Sequence, residues 1–443
     1  MSERRIIQVQ EKVPFLKALP LSFQHLFAMF GASVLVPYLL NTATGKPIQV
    51  IDTSLVLLMN GIGTLIYLFI CQGKSPAFLG SSFAFIAPAV SILKGGGDVV
   101  ANFPKVLGGF FVAGAVFTIV SLIVGRVGTK WLDIVLPPAA MGPIVTLIGL
   151  ELAGTAMSMS KAFPADSTGQ FNKYAIIIAI STLAVAVLGT LLFRGFLSSI
   201  PILVAVVFGY GLTVVINIFV PGLIDFAGIA NESFFSMPKF VTPQFNITAI
   251  LVIAPAAMVV ISEHIGHLFV TSNIVGKDLM KDPGLHRSML GDGLSTMISS
   301  ISGSVPTTTY GENMGVMAIT KVYSVWVIGG AGVISILIAF LGYFKGAINS
   351  IPVPVMGGVC LLLFGVIAAS GIRMMVESKI DYSKSKNLVL TAIIFIVGIS
   401  TAYNPIYIRG IEFKGMVVAT IVGIGLSLII YILEKLKLTN DAN

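Results

Sequence analysis

Charge is what this chain has least of. Lysine, arginine, aspartate and glutamate make up 10% of its 443 residues and hydrophobic residues 56%, whereas soluble domains carry about a quarter charged residues. With a mean hydropathy of +0.97 such a chain would precipitate from water. Uncharged runs of about 20 residues recur along its whole length, the signature of transmembrane helices. Cysteine is nearly absent as well. Cys71 and Cys360 each lie at or inside a hydrophobic span and match no metal or redox spacing, so neither a disulfide framework nor a metal site is expected. The opening "MSERRIIQVQEKVPFLKALP" lacks the apolar stretch and small-residue cleavage site of a signal peptide, so the first span is expected to remain uncleaved. Basic residues outnumber acidic ones, 27 to 19, but they are scattered singly through short loops. No nucleic-acid partner is expected, since that needs a clustered basic face.

What is there is a polytopic membrane pattern. Apolar segments fall near 21–40, 53–72, 84–94, 106–125, 134–154, 174–193, 199–220, 246–270, 289–302, 311–322, 324–343, 352–372, 387–403 and 414–433, fourteen in all. With the N-terminus in the cytoplasm, 18 of the 27 Lys and Arg residues fall in inner segments and 9 in outer ones. The positive-inside rule therefore predicts that both termini are cytoplasmic.

Two spans are odd. The third and tenth are too short to cross a bilayer core of about 30 Å as simple helices. Each is preceded by Gly, Pro, Ser, Thr and aromatic residues, "SPAFLGSSFAF" and "SGSVPTTTYG", which favour extended backbone. Strand cannot face lipid with its amides unpaired, so these stretches are expected to pair with each other inside the protein. Each would then run into a half-helix, beginning near Ile86 and near Gly311.

Spans three and ten are seven apart, and so are other matching pieces. "QHLFAMFG" at 24–31 answers "GHLFVTSN" at 266–273, "VLGGFFVAG" at 106–114 answers "VIGGAGVIS" at 327–335, "LPPAAMG" at 136–142 answers "IPVPVMG" at 351–357, and "GYGLT" at 209–213 answers "GIGLS" at 423–427. All four keep chain order. A repeat with an odd number of spans inserts its second copy upside down, the plan of inverted-repeat secondary transporters, whose substrate sits near the midplane where broken helices point their N-termini into one cavity.

That plan sorts the acids and imidazoles. Glu151, Glu263 and Glu312 fall well inside spans, with Asp292 near a boundary, and a carboxylate inside a span is a functional candidate because its desolvation is costly. Glu312 opens the second half-helix after Tyr310 and Gly311. In "SEHIGHLF", Glu263 and His267 are four apart and share a helix face, while His264 points about 100° away. Glu263 and His267 read as a carboxylate for substrate or proton beside an imidazole that titrates near neutral pH. The bland alternative is a hydrogen-bonded pair tying two helices. His25, at the repeat position of His267, reads equally as a packing residue or a supporting group. Glu151 reads as structural, as does His264, and His286 as a loop residue. Phe83 and Tyr310, at the two breaks, are placed to stack on a flat ligand.

The residues also carry a resemblance. "ENMGVMAITK", from Glu312 to Lys321, fits the signature of the nucleobase-ascorbate transporter (nucleobase:cation symporter) family. "LFAMFGASVLVP", "GSSFAFIAP", "SEHIGHL", "DPGLHRSML" and "TTYGENMGVMAIT" extend the likeness over nearly the whole chain, towards its bacterial uracil-transporting members. The resemblance implies an all-α fold of fourteen segments in two inverted repeats of seven, with short paired strands and half-helices in segments three and ten. It implies a cytoplasmic lead at 1–20, a core domain at 21–130 and 246–345, a gate domain at 131–245 and 346–435, and a cytoplasmic tail at 436–443. It further implies symport of uracil with protons across the cytoplasmic membrane, with no cofactor and no enzymatic activity. Glu263, Glu312, Phe83, Tyr310 and Gly311 would bind substrate, His267 with Glu263 would couple protons, and His25 and Asn313 would support them. A homodimer in membrane lipid is implied too. Phe364, in "LLLFGVIAAS", stands where the resemblance to one uracil-transporting member implies a tyrosine, which takes away a gate-side hydroxyl.

Uracil is planar and neutral, with two N–H donors and two carbonyl acceptors. Two carboxylates and half-helix amides supply the complementary set. An anionic substrate would be repelled by the two acids, and a purine of the same family is the nearer alternative.

Overall fold

A computed structural model describes residues 6–42, 49–96, 98–161, 172–408 and 411–439. It is mostly helical. We number α1 Phe15–Thr42, α2 Thr53–Ile70, α3 Ile86–Lys94, α4 Val99–Val127, α5 Pro138–Ser160, α6 Lys173–Leu192, α7 Pro201–Phe219, α8 Ile247–Val275, α9 Leu285–Ser302, α10 Gly311–Thr320, α11 Val325–Ile338, α12 Val353–Glu377, α13 Ser385–Tyr403 and α14 Gly415–Lys435. Among the described residues, ten of these are long and apolar enough to cross a membrane. The four that are not are α3, α9, α10 and α11. Strands β1 Leu79–Ser81 and β2 Thr307–Thr309 precede α3 and α10, and β3 Ile406–Ile408 and β4 Ile411–Phe413 form a hairpin before α14.

The element boundaries follow local chemistry. Asp52 caps α2 through Ser54 N, Asp98 caps α4 through Val100 N and Asn172 caps α6 through Ala175 N, each satisfying an orphan amide of the first turn. Pro255 interrupts α8 after Ile253, because it has no N–H to give to the preceding turn. At nine and ten residues, α3 and α10 are about 15 Å long, half of a bilayer core.

The two short strands pair antiparallel, Leu79 with Thr309, Gly80 with Thr308 and Ser81 with Thr307. Ser82 N–H to Pro306 O and Tyr310 N–H to Phe78 O extend the pairing at either end. The backbone groups facing away from the pair are met by helix hydroxyls. Leu79 N–H donates to Thr64 Oγ1 on α2, and on α9 Thr296 Oγ1 donates to Thr307 O and Ser299 Oγ to Val305 O. This explains why α9 is too polar to register as a span: Ser288, Asp292, Ser295, Thr296, Ser299 and Ser300, all buried, recur at three- and four-residue spacing and face protein rather than lipid.

Several packings recur when each helix is exchanged for the one seven places along. α2 packs on α11 as α9 does on α4, α6 on α7 as α13 on α14, and α12 on α6 as α5 on α13. The first of these pairs cross at matching points. Gly61 meets the Gly332 carbonyl, and Gly114 meets that of Gly293, with no room for a Cβ, the small-residue contact by which membrane helices approach closely. α1 and α2 are largely buried, whereas α6, α7 and α13 carry exposed Leu188, Val207, Ile218 and Ile396 on their outer faces.

Two expectations change. α1 begins at Phe15, within the stretch assigned to a lead at 1–20, and the described part of that lead is built into the fold. Ile7 bridges to Val322, Val325 N–H donates to Val9 O, and Val9 is buried, because the chain leaving α10 presents free backbone groups that an extended segment can pair. Asp292, expected near a span boundary, lies buried within α9. Arg4, Arg5, Lys46 and Arg409, used in the topology count, and positions 440–443 of the tail lie outside the described residues.

Candidate functional site

The site forms where α8 passes the break between β2 and α10. Tyr310 keeps extended backbone, and helix begins at Gly311, so the first amides of α10 have no partner within the helix. On α8, one turn places Glu263 Oε1 4.0 Å from His267 Nε2. His267 Nδ1 lies 3.2 Å from Thr309 Oγ1, and a Cβ on Gly311 would stand 3.6 Å from His267 Nε2. The imidazole thus reaches the start of α10 at ordinary contact distance. Glu312 stands half-buried in the first turn of α10, which packs against α8. The side chains of Glu263 and His267 are 21% and 18% exposed, which leaves them reachable by a ligand inside an otherwise packed region.

His25 on α1 is buried, and its Nδ1 lies 2.7 Å from Asn313 Oδ1. Asn313 Nδ2 is buried without a hydrogen-bond partner. The pair fixes the first turn of α10 against α1 and leaves one amide donor unspent beside Glu312. Phe83 is half-buried in the turn before α3, with its ring edge-on to Phe364 of α12, centroids 6.2 Å apart. Phe364 therefore occupies its position by packing alone.

Tyr310 is placed differently from a stacking platform. Its ring lies over Gly80, its hydroxyl donates to Ser81 O at 2.8 Å, and it is 4% exposed. In this conformation the ring clamps the strand pair and offers no face to a flat ligand. Glu151 accepts Met416 N–H at 3.0 Å at the start of α14.

Sequence reasoning missed the group behind the site. His264 is fully buried, Nδ1 2.8 Å from Asp292 Oδ2 and Nε2 2.7 Å from Ser288 Oγ. Thr309 Oγ1 links the two imidazoles, lying 3.4 Å from His264 Nδ1. The usable signal was the periodic polar stripe of α9, which needs a polar partner on the neighbouring helix. The arrangement can accept donors at two carboxylates, donate from helix amides and Asn313, and hold or pass a proton at His267.

The Permease family profile Xan_ur_permease matches residues 16–406. The "Uracil permease" of Escherichia coli (strain K12) is 56% identical over 434 residues, spanning 98% of this chain and 96% of that protein. The "Uracil permease" of Paenibacillus larvae subsp. larvae (strain NRRL B-3650 / LMG 16245) is 51% identical over 439 residues, spanning 99% of each. Among solved structures, the murine Slc26a9 anion transporter in the inward-facing state superimposes with a TM-score of 0.71 at 12% identity, over 96% of this chain and 69% of that one. That likeness is one of fold.

Proposed function

The chain belongs to the Permease family and is a multi-pass membrane protein, and on that premise we propose that it takes up uracil together with protons across the cytoplasmic membrane by alternating access. The observation that carries this reading is the packing of α8, with Glu263 and His267, on the open start of α10, where Glu312 stands and Gly311 faces His267. Uracil's two N–H groups would donate to the two carboxylates, and its carbonyls would accept from the first amides of α10. A proton loads at Glu263 and His267 from outside, substrate binds, and both leave on the inner side.

The moving parts are a core of α1–α4 and α8–α11 and a gate of α5–α7 and α12–α14, fourteen segments in two inverted repeats, with both termini in the cytoplasm. The reading is supported by the exchange symmetry of the packing and by contacts between the two groups that are confined to a few pairs, α1 with α7, α8 with α14 and α8 with α5 among them. Glu263, Glu312 and His267 belong to the core and Phe364 to the gate, so the site lies on the moving boundary. The gate helices carry the exposed apolar faces through which two copies would associate in lipid.

The test is radiolabelled uracil uptake into proteoliposomes with and without an inward proton gradient, competed with xanthine and thymine. Gradient-driven accumulation blocked by uracil and untouched by xanthine is expected, and Glu263→Ala and Glu312→Ala should each lose uracil binding. Unchanged affinity in either variant removes the two-carboxylate site, and strong competition by xanthine moves the substrate to a purine.

A further inference from the structure

A line of groups that both give and take protons leads away from the site, and we propose that it conducts the coupled proton to the cytoplasmic face. The inference rests on the proton-coupled reading above. The line begins at His267, whose Nδ1 is 3.2 Å from Thr309 Oγ1, and Thr309 Oγ1 is 3.4 Å from His264 Nδ1. A cavity of about 10 Å³ touches Tyr67, His264, His267, Thr309 and Asn313. That is at the lower limit of what one water needs, and it lies at the longest step of the line. From there the steps are short. His264 Nε2 is 2.7 Å from Ser288 Oγ, Ser288 Oγ is 2.7 Å from the Tyr67 hydroxyl, and that hydroxyl is 2.9 Å from Ser75 Oγ.

Ser75 lies in the turn after α2, next to Lys74, whose side chain is 36% exposed and whose ammonium pairs with Asp282 at 2.7 Å. With the termini inside, this is the cytoplasmic end of α2. The line thus runs from the site to a buried hydroxyl one residue from the partly exposed Lys74 side chain.

Every side chain in it is a hydroxyl or an imidazole, the groups that can donate and accept at once. Tyr67, Ser75, His264 and Ser288 are fully buried, in a region where an apolar residue would pack with no desolvation cost. With Asp292 protonated, Nδ1 of His264 keeps its lone pair and Nε2 its hydrogen, so a proton arriving at Nδ1 releases the one at Nε2 to Ser288. Ser288 passes its own to Tyr67 and Tyr67 to Ser75, from which it leaves past the Lys74–Asp282 pair at the end of α2, so one proton enters and one leaves. The groups facing this line are Asp292 on α9, 2.8 Å from His264 Nδ1, Cys71 beside Tyr67, and Arg287, whose guanidinium donates to Ile70 O at 3.4 Å.

Tyr67→Phe removes only the hydroxyl and breaks the line at one point. Purified variant and unchanged protein in proteoliposomes are compared in two assays. Net uracil accumulation, followed with an internal pH dye, requires the proton to be released inside. Uracil counterflow at equal pH on both sides does not, because the loaded carrier returns with its proton. Tyr67→Phe should slow accumulation and the dye signal about tenfold, the factor that one lost hydrogen bond of ordinary strength amounts to, with counterflow unchanged, and Ser288→Ala should do the same. Normal accumulation in both variants overturns the relay alone. Loss of counterflow in both makes the line a packing feature and also overturns it. Absence of any dye signal in the unchanged protein removes proton coupling itself.

Discussion

Replacing Gly80 by alanine tests whether the strand pair sets the binding geometry. A Cβ there would lie 2.4 Å from Cε2 and Cζ of Tyr310, about 1 Å inside ordinary carbon contact. The strand cannot retreat, because it is held by β2 on one edge and Thr64 on the other. If the ring swings by that amount, its hydroxyl leaves Ser81 O, now 2.8 Å away, for a separation of about 3.5 Å or more, where little hydrogen bond remains. Overpacking costs about 1–3 kcal/mol, and stranding the buried hydroxyl and carbonyl costs about 1–3 kcal/mol more. If the strands shift instead, Gly311 and Glu312 move with them, and a misplacement of about 1 Å weakens a positioned interaction by up to about a hundredfold. Either response is visible in thermal unfolding of the purified protein in detergent, measured with and without uracil, together with uracil affinity. We expect a lower midpoint and at least about tenfold weaker binding, with part of the midpoint restored when Tyr310→Leu is added to relieve the clash. Unchanged stability and affinity in Gly80→Ala would refute the view that the ring and strand form one rigid unit.

Two further outcomes test the frame around the site. Lys345 pairs with Asp52 at 3.2 Å, both side chains being at least nine-tenths buried, and Asp52 also accepts the amides of Ser54 and Lys239. Lys345→Met should cost about 3–5 kcal/mol by stranding that carboxylate, and Lys345→Met with Asp52→Asn clearly less; equal losses in single and double variants would show that the charge is not what matters. On the opposite group of helices, Glu412 of the β3–β4 hairpin accepts the Ser91 hydroxyl of α3 at 2.9 Å. If this contact holds the outer side closed, Glu412→Ala should raise thiol labelling of Ile92→Cys several-fold, about 1 kcal/mol for one partly exposed bond to a carboxylate, and unchanged labelling refutes the latch. Cys71 and Cys360 are buried and should give little background.

Much of the site was legible because its strongest signals are local. Glu263 and His267 share a face through helix spacing alone, and the extended stretches before Ile86 and Gly311 announce themselves by Gly, Pro, Ser and Thr. Tyr310 misled for a local reason too. An aromatic at a break reads as a stacking platform, but Gly80 opposite it leaves a hollow that the ring fills, and only the register of β1 on β2 reveals that hollow. His264 reads as structural when α8 is viewed alone. Seen beside Asp292, Ser288 and Thr309, it joins a polar line.

By itself the sequence determined that this is a membrane protein, where most of its segments lie, where two of them break, and which neighbours in the chain share a face. Hydropathy, helix period and strand propensity act over a few contiguous residues, so one stretch suffices to express them. The tertiary structure decided the distant partnerships, His25 with Asn313 across 288 positions, Tyr67 with Ser288 across 221, and the packing of α8 on the start of α10. Those depend on how helices pack, and apolar faces that would all be equally content in lipid do not specify which neighbour each will meet.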